Sequence, residues 1–372
     1  MLDLKRFICF VLFVSLVFTV PAPADALSGL AAIVINGDTG DVIYSHNADV
    51  RLPMASTTKI MTALLMLENC DNLDKEIVTT KEMVTVEGSS MGLLAGDRVS
   101  FRALLYGMML SSGNDAANTA AIAIGGSIES FVSLMNKKAR DLGLADTHFV
   151  TPSGLDGEGH YTTARELALI AREALKNPDF AEAVSAKSAT LCFGNPPYRR
   201  TVKNHNRLLD MYDDVVGVKT GFTKKSGRCL VSAAKKDGKY VIAVTLNDGN
   251  DWADHRYLLD IGLSVIEVYN YKPEDFDIAL PVLCGEEATV SLYCGGADFC
   301  IPKGQTVKAA VCLPRFLYSP PSANEVVGNI EYYCSGRLVY KSNILAKGGV
   351  KRKKHTAAKK VFEILKYMTS LI

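Results

Sequence analysis

Three β-rich segments follow one another in the second half of the chain, at residues 215–220, 228–234 and 239–246. They read as successive antiparallel strands. Asp237-Gly238, between the last two, is a tight-turn dipeptide because both positions tolerate positive φ. Helical segments stand before and after this meander. The pattern predicts a mixed α+β domain over residues 27–270, with an antiparallel sheet covered by helices.

The rest of that region fits the same plan. Residues 30–36 and 42–45 flank Gly37-Asp38-Thr39-Gly40 and read as a β-hairpin. A helix starts near Ser56 and carries apolar Ile60, Met61, Leu64, Leu65 and Met66. Residues 104–124 are strongly apolar but broken by Ser111-Ser112-Gly113-Asn114-Asp115, which predicts two helices joined by a tight turn. Ile128, Phe131, Val132, Met135, Ala139 and Leu142 form a helical stripe that Gly143 stops. Thr163 and Glu166 have the spacing of a capping box. The helix they open is expected to end at Asn177-Pro178. Residues 257–268 read as a closing helix. Residues 271–276 resemble a linker, and residues 278–345 turn to short strands with Gly, Pro and Ser breaks. A small all-β domain is expected over residues 271–346.

The two ends carry different signals. Lys5 and Arg6, an apolar run over residues 7–20 and Ala24-Asp25-Ala26 read as a secretory signal peptide, residues 1–26. The alternative is a retained anchor, for which the run is short. Residues 347–372 hold eight Lys or Arg against one acid, Glu363. Ala358, Val361, Phe362, Leu365, Met368 and Ile372 recur there at helical spacing. This is an interfacial amphipathic pattern, too short and too charged to span a bilayer. It predicts peripheral attachment to an anionic membrane surface; the alternative is docking on the protein's own surface. The protein is thus expected to be exported and to work at the outer face of the cytoplasmic membrane. Net charge over the whole chain is +1, so nucleic acid is not an expected partner. Nine cysteines occur, five of them at Cys284, Cys294, Cys300, Cys312 and Cys334. Export permits disulfides without requiring them, and buried thiols account for the cysteines equally well. No histidine cluster suggests a metal, and no cofactor is expected.

Three polar motifs lie on these elements. Ser56-Thr57-Thr58-Lys59 places a hydroxyl and an amine three apart at a helix start, where positions i and i+3 share a face. That pairing can activate an alcohol without histidine. Alone, it is explained as well by Ser56 acting as an N-cap beside a solvated Lys59. Ser112-Gly113-Asn114 lies at the helix–helix break, where a plain turn would also suffice. Lys219-Thr220-Gly221 ends a strand, with Gly221 permitting close backbone approach. All three, in this order, fit one catalytic arrangement better than three coincidences.

S-x-x-K, S-x-N and K-T-G in this order resemble the penicillin-binding protein and serine β-lactamase superfamily. The flanking residues narrow the resemblance: Pro53-Met54-Ala55 before Ser56, Ala116-Ala117 after Asp115, Phe222-Thr223, Asn204-His205-Asn206 and His160-Tyr161-Thr162-Thr163-Ala164-Arg165. Together they are similar to the low-molecular-mass D-alanyl-D-alanine carboxypeptidases of peptidase family S11. The resemblance implies a β-lactamase-like catalytic domain, then a small β domain and an amphipathic helix. It implies Ser56 as acyl-ester nucleophile, Lys59 as general base, Ser112 as proton relay and Asn114 as an orienting group. Lys219, Thr220, Gly221 and His205 then bind the substrate carboxylate, and the Ser56 and Phe222 backbone N–H groups form an oxyanion hole. Implied partners are the peptidoglycan stem peptide and β-lactam antibiotics.

Two features depart from that pattern. Many relatives carry a carboxylate-binding arginine after the last strand; here Asp251 or Trp252 fills the place, and Arg256 is offset by a helical turn. Glu166 imitates part of the deacylation motif of class A β-lactamases, but Ile170 replaces its asparagine and the capping box explains Glu166 without catalysis. A β-lactamase, an endopeptidase and a silent peptidoglycan-binding protein are the alternatives to a carboxypeptidase.

Overall fold

The structure is a computed structural model and describes residues 27–271, 276 and 278–353. The expected signal peptide, most of the expected linker and residues 354–372 of the expected amphipathic helix lie outside the described residues.

In chain order, β1 (Gly29–Asn36) and β2 (Val42–His46) lead to a 3-10 turn (Ala55–Thr58) that runs directly into α1 (Lys59–Glu68). Next come β3 (Glu76–Val78), α2 (Lys81–Val84), β4 (Arg98–Ser100), α3 (Phe101–Met109), α4 (Asn114–Gly125) and α5 (Ile128–Asp141). α6 (Ala164–Ala174) and α7 (Pro178–Ser185) precede the hairpin of β5 (Ser188–Gly194) and β6 (Pro197–Lys203). Then follow α8 (Leu208–Met211), β7 (Val215–Thr223), β8 (Gly227–Lys236), β9 (Lys239–Asp248) and α9 (Asp251–Val265). The remaining strands are β10 (Ile266–Tyr271), β11 (Ala279–Pro281), β12 (Thr289–Cys294), β13 (Ala297–Pro302), β14 (Val307–Cys312), β15 (Val326–Cys334) and β16 (Arg337–Ala346).

The central sheet has the order β2-β1-β9-β8-β7, antiparallel throughout. Side chains alternate across it, as a period of two requires. Ala31, Ile33 and Ile35 of β1 join Ile242, Val244 and Leu246 of β9 in one core, with α1 and α6. Ala32 and Val34 join Val241 and Ala243 in a second core under α9. The sheet is therefore the middle layer of three. Its outer strand β7 lies against the 3-10 turn, so the turn and the strand edge form one junction.

The expected stripe on α5 is present: Phe131, Met135 and Ala139 are buried, and Ser127 caps the helix by accepting from Ser130 N–H at 3.1 Å. Burying a side chain the size of Phe131 contributes about 1.5–3 kcal/mol. Other boundaries differ from expectation. Asn177 does not merely stop a helix; it caps α7, accepting from the Asp179 and Phe180 N–H groups, with Pro178 at the first position. The closing helix begins earlier, at Asp251, and ends at Val265. Ile266 and the residues after it extend into β10, because they pair with β13 rather than continuing helically.

Strands β11-β12-β16-β15-β14 make a second five-stranded sheet beside the pair β10-β13. Phe299, Tyr332 and Tyr340 form its aromatic centre, with Phe299 and Tyr340 stacked at 5.0 Å. Asn36 Nδ2 donates to Cys300 O at 3.0 Å, and Cys300 N–H donates to Asp38 Oδ2 at 3.1 Å, tying this unit to the β1–β2 turn. All eight cysteines of the described residues are free thiols; Cys284, Cys294, Cys300 and Cys334 are buried and Cys312 is exposed. Among the described residues no helix is long and apolar enough to cross a membrane.

Candidate active site

The site begins at the 3-10 turn. Ala55, directly before Ser56, has φ +47, a left-handed conformation that costs a residue with a Cβ. Thr57 Oγ1 donates to Met54 O at 2.6 Å and Thr58 Oγ1 donates to Ala55 O at 2.8 Å, so the turn is tied by its own side chains. Ser56 caps nothing. The capping positions are Met54 and Thr58, and neither makes a side-chain capping bond. The Ser56 hydroxyl instead lies 2.9 Å from Lys59 Nζ.

Lys59 is fully buried. Its Nζ also lies 2.7 Å from Asn114 Oδ1 and 2.5 Å from Ser153 O. Burial, with the charge of Lys219 nearby, pushes its pKa well below the ordinary lysine range.

Ser112 and Asn114 come from the break between α3 and α4. Ser112 has φ +57 and is buried. Asn114 Nδ2 donates to Glu87 O at 2.6 Å, which leaves Oδ1 aimed at Lys59. Asp115, which sequence reasoning passed over, is fully buried. Its carboxylate accepts from the Met91, Gly92 and Leu93 N–H groups at 2.9, 2.9 and 3.0 Å and from Ser90 Oγ at 2.6 Å. It therefore fixes the loop whose Ser89 carbonyl accepts from Asn114 N–H at 2.7 Å. An acid directly after S-x-N at a helix N-terminus was the available signal.

β7 supplies the opposite wall. Lys219 is 1% exposed, and its Nζ donates to Thr220 O at 2.8 Å. Burial pulls its pKa down to about 7. A Cβ on Gly221 would come within 3.1 Å of both Met54 O and Ser56 N, so glycine is what allows the strand to lie against the Ser56 turn. Phe222 follows with its ring exposed. Thr223 Oγ1 donates to Asp156 Oδ1 at 2.9 Å, which ties the strand end to the loop carrying Ser153. His205 N–H donates to Leu110 O at 3.1 Å, close behind the Ser112 turn, and the residue is exposed. Partial desolvation and the Lys219 charge lower its pKa.

The two departures resolve differently. Asp251 and Trp252 do not stand in for an arginine; they hold one. Arg228 Nη2 pairs with Asp251 Oδ1 at 2.5 Å, and its guanidinium lies over Trp252 at 5.4 Å. Arg228 is opposite Phe222 in the β7–β8 pairing. Glu166 forms only half of the expected capping box. Its N–H donates to Thr163 Oγ1 at 3.1 Å, but its carboxylate accepts from Asp146 N–H at 2.9 Å and from Thr147 Oγ1 at 2.5 Å. A surface cavity of about 650 Å³ between α3, α7 and β5, lined by Tyr106, Glu182 and Cys192, contains none of these residues.

The comparisons with known proteins agree with one another. The family model for peptidase S11, described as D-alanyl-D-alanine carboxypeptidase, matches residues 17–250. The D-alanyl-D-alanine carboxypeptidase DacF of Bacillus subtilis is 32% identical over 334 residues, covering 87% of this chain and 86% of its own. Among solved structures, the D-alanyl-D-alanine carboxypeptidase DacD of Francisella tularensis matches with a TM-score of 0.63 at 27% identity, over 90% of this chain and 96% of that one. The Streptomyces K15 DD-transpeptidase matches with a TM-score of 0.62 at 35% identity, over 64% of this chain and 98% of that one. The chain belongs to the S11 family of serine-type D-alanyl-D-alanine carboxypeptidases.

Proposed function

We propose that this enzyme removes the terminal D-alanine of peptidoglycan stem peptides through an acyl-enzyme on Ser56. The observation that carries the reading is the valence of Lys59 Nζ. A neutral amine has two N–H groups and one lone pair. Asn114 Oδ1 and Ser153 O are acceptors only, and they take the two protons. The lone pair is left for the Ser56 hydroxyl proton.

The Ser56 proton moves to Lys59 Nζ as Oγ attacks the carbonyl between the two D-alanines. The Ser56 and Phe222 N–H groups hold the developing oxyanion; losing one such donor typically costs about 3–4 kcal/mol. The C–N bond breaks, and the leaving amine takes a proton from Ser112, which Lys59 replenishes. Water then gives a proton to Lys59, attacks the ester and frees the Ser56 hydroxyl. Lys219, Thr220 and His205 bind the terminal carboxylate, and Arg228, opposite Phe222 on the neighbouring strand, adds a guanidinium at the strand end.

A β-lactam enters as a mimic of the same peptide and stays as a slow ester. The commitment of the Glu166 carboxylate to Asp146 and Thr147 supports slow release, since it is not free to activate water as the class A β-lactamase glutamate does. The signal peptide and the basic amphipathic C-terminal segment support export and attachment to the outer face of the cytoplasmic membrane. There the enzyme trims stem peptides and limits cross-linking. The test is release of D-alanine from diacyl-Lys-D-Ala-D-Ala by purified protein, abolished in Ser56→Ala. A wild type that releases none contradicts the proposal.

A further inference from the structure

A buried histidine behind Ser56 has no part in the mechanism above. His160 is 5% exposed, with the Phe149 ring edge-on at 6.0 Å. Val150 N–H donates to its Nδ1 at 3.0 Å. An amide N–H can only donate, so Nδ1 carries no proton and a neutral ring holds its proton on Nε2. Burial, with His148 nearby, lowers the pKa to about 4, so the ring is neutral at working pH. Nε2–H therefore donates to Thr58 Oγ1 at 2.8 Å. The Thr58 hydroxyl has one proton, and Ala55 O accepts it at 2.8 Å. The chain from Val150 to Ala55 has a single polarity throughout.

Its last acceptor belongs to the strained residue beside the nucleophile, Ala55 with φ +47. Gly154 closes on the same carbonyl: a Cβ there would come within 1.9 Å of Ala55 O and 2.8 Å of Thr58 Oγ1. The neighbouring carbonyls of this loop hold α1. Ser153 O accepts from Lys59 Nζ, and Pro152 O accepts from Thr62 Oγ1 at 2.6 Å. One loop thus grips both partners of the Ser56–Lys59 pair, and His160 is its contact with the nucleophile's turn.

We propose that His160 is a positioning residue: through Thr58 it holds the Ala55 carbonyl, preserves the left-handed turn and so sets Ser56 Oγ against Lys59 Nζ. The inference rests on the acyl-enzyme reading above. Two substitutions separate the two ring nitrogens. The amide nitrogen of His160→Gln reaches the Nε2 position and can still donate to Thr58. The oxygen of His160→Asn replaces Nδ1 but leaves Thr58 without its donor.

The experiment follows acylation of full-length protein by fluorescent penicillin, with the final fraction of labelled sites read separately from the rate. His160→Asn and Thr58→Val are expected to acylate at least about tenfold more slowly yet reach full labelling, because a displaced nucleophile slows chemistry steeply. His160→Gln and Thr58→Ser are expected to stay within about threefold of wild type, since each keeps the donor or hydroxyl. With the tripeptide substrate, kcat falls and KM holds. Wild-type rates in Thr58→Val, or slow labelling that reflects only a smaller active fraction, overturn the inference. An unlabelled wild type overturns the acyl-enzyme reading itself and the inference with it.

Discussion

Lys59 Nζ lies 2.7 Å from Asn114 Oδ1, a neutral acceptor facing a fully buried amine. The neutrality of that partner decides what the lysine can do. A carboxylate at the same place would hold the ammonium charged, whereas an amide orients the amine and leaves its proton free to depart.

Asn114→Asp is therefore expected to cripple acylation while changing almost no volume. An anion at this distance raises a neighbouring amine's pKa by about 1–3 units. Acylation by penicillin at neutral pH should fall by about 10–1000-fold, and its acid limb should move to higher pH by the same number of units. A rate–pH profile on the variant checks both. An unmoved limb would show that Lys59 is not the base.

Lys219 supplies a second titration. Burial pulls its pKa down to about 7, and in the proposed mechanism only its charged form attracts the substrate carboxylate. The kcat/KM profile should rise as Lys59 loses its proton and fall as Lys219 loses its own near pH 7. Lys219→Arg should abolish the alkaline limb, because guanidinium does not titrate there. The sign for stability is opposite. Between about 7 and the ordinary 10.5 the unfolded chain holds more protons on this lysine than the folded one. Stability contributed by this group therefore rises with pH through that window, which thermal melts of the free enzyme would show. A Lys219→Arg variant that retains the limb removes Lys219 from the account.

Arg228 is held on Trp252 and by Asp251, next to Phe222. If it contacts the terminal carboxylate, Arg228→Gln should raise KM for the tripeptide by about tenfold, the scale of one hydrogen bond to a charged group. A substrate amidated at its C-terminus should show no difference between the two enzymes. Equal KM values with the free acid would leave carboxylate recognition to Lys219 and Thr220.

The basic C-terminal segment predicts binding to membranes. Each Lys or Arg near an anionic surface contributes about 1 kcal/mol. Full-length protein should co-sediment with vesicles containing anionic lipid, less so at high salt, and a chain ending at residue 353 should not. Equal sedimentation of both would move attachment elsewhere.

Much of the architecture was legible because it rests on local rules. The β7–β9 meander follows from strand composition and Asp237-Gly238, and α5 from its stripe and its break at Gly143. The boundary that differs depends on a distant partner: Ile266 leaves the helix because β13 pairs with it. Asn177-Pro178 ends α6 as expected, and Asn177 also caps the next helix through its near neighbours. The site shows the same division. Ser56, Lys59, Ser112, Asn114 and Lys219 stand in recognisable motifs. The groups that hold them, Asp115, Ser153 O and His160, act across 22 to 102 residues of sequence, and only Asp115, directly after S-x-N, has a local signal. Arg228 was missed for a related reason: its role comes from strand pairing with Phe222 and from α9, not from its own neighbours.

The most direct test is mass spectrometry of the protein after exposure to benzylpenicillin, with proteolytic mapping of the adduct. The account predicts one added penicilloyl group per chain, located on Ser56, stable over minutes and absent from Ser56→Ala. An adduct on another residue, or no adduct with a folded enzyme, would contradict it.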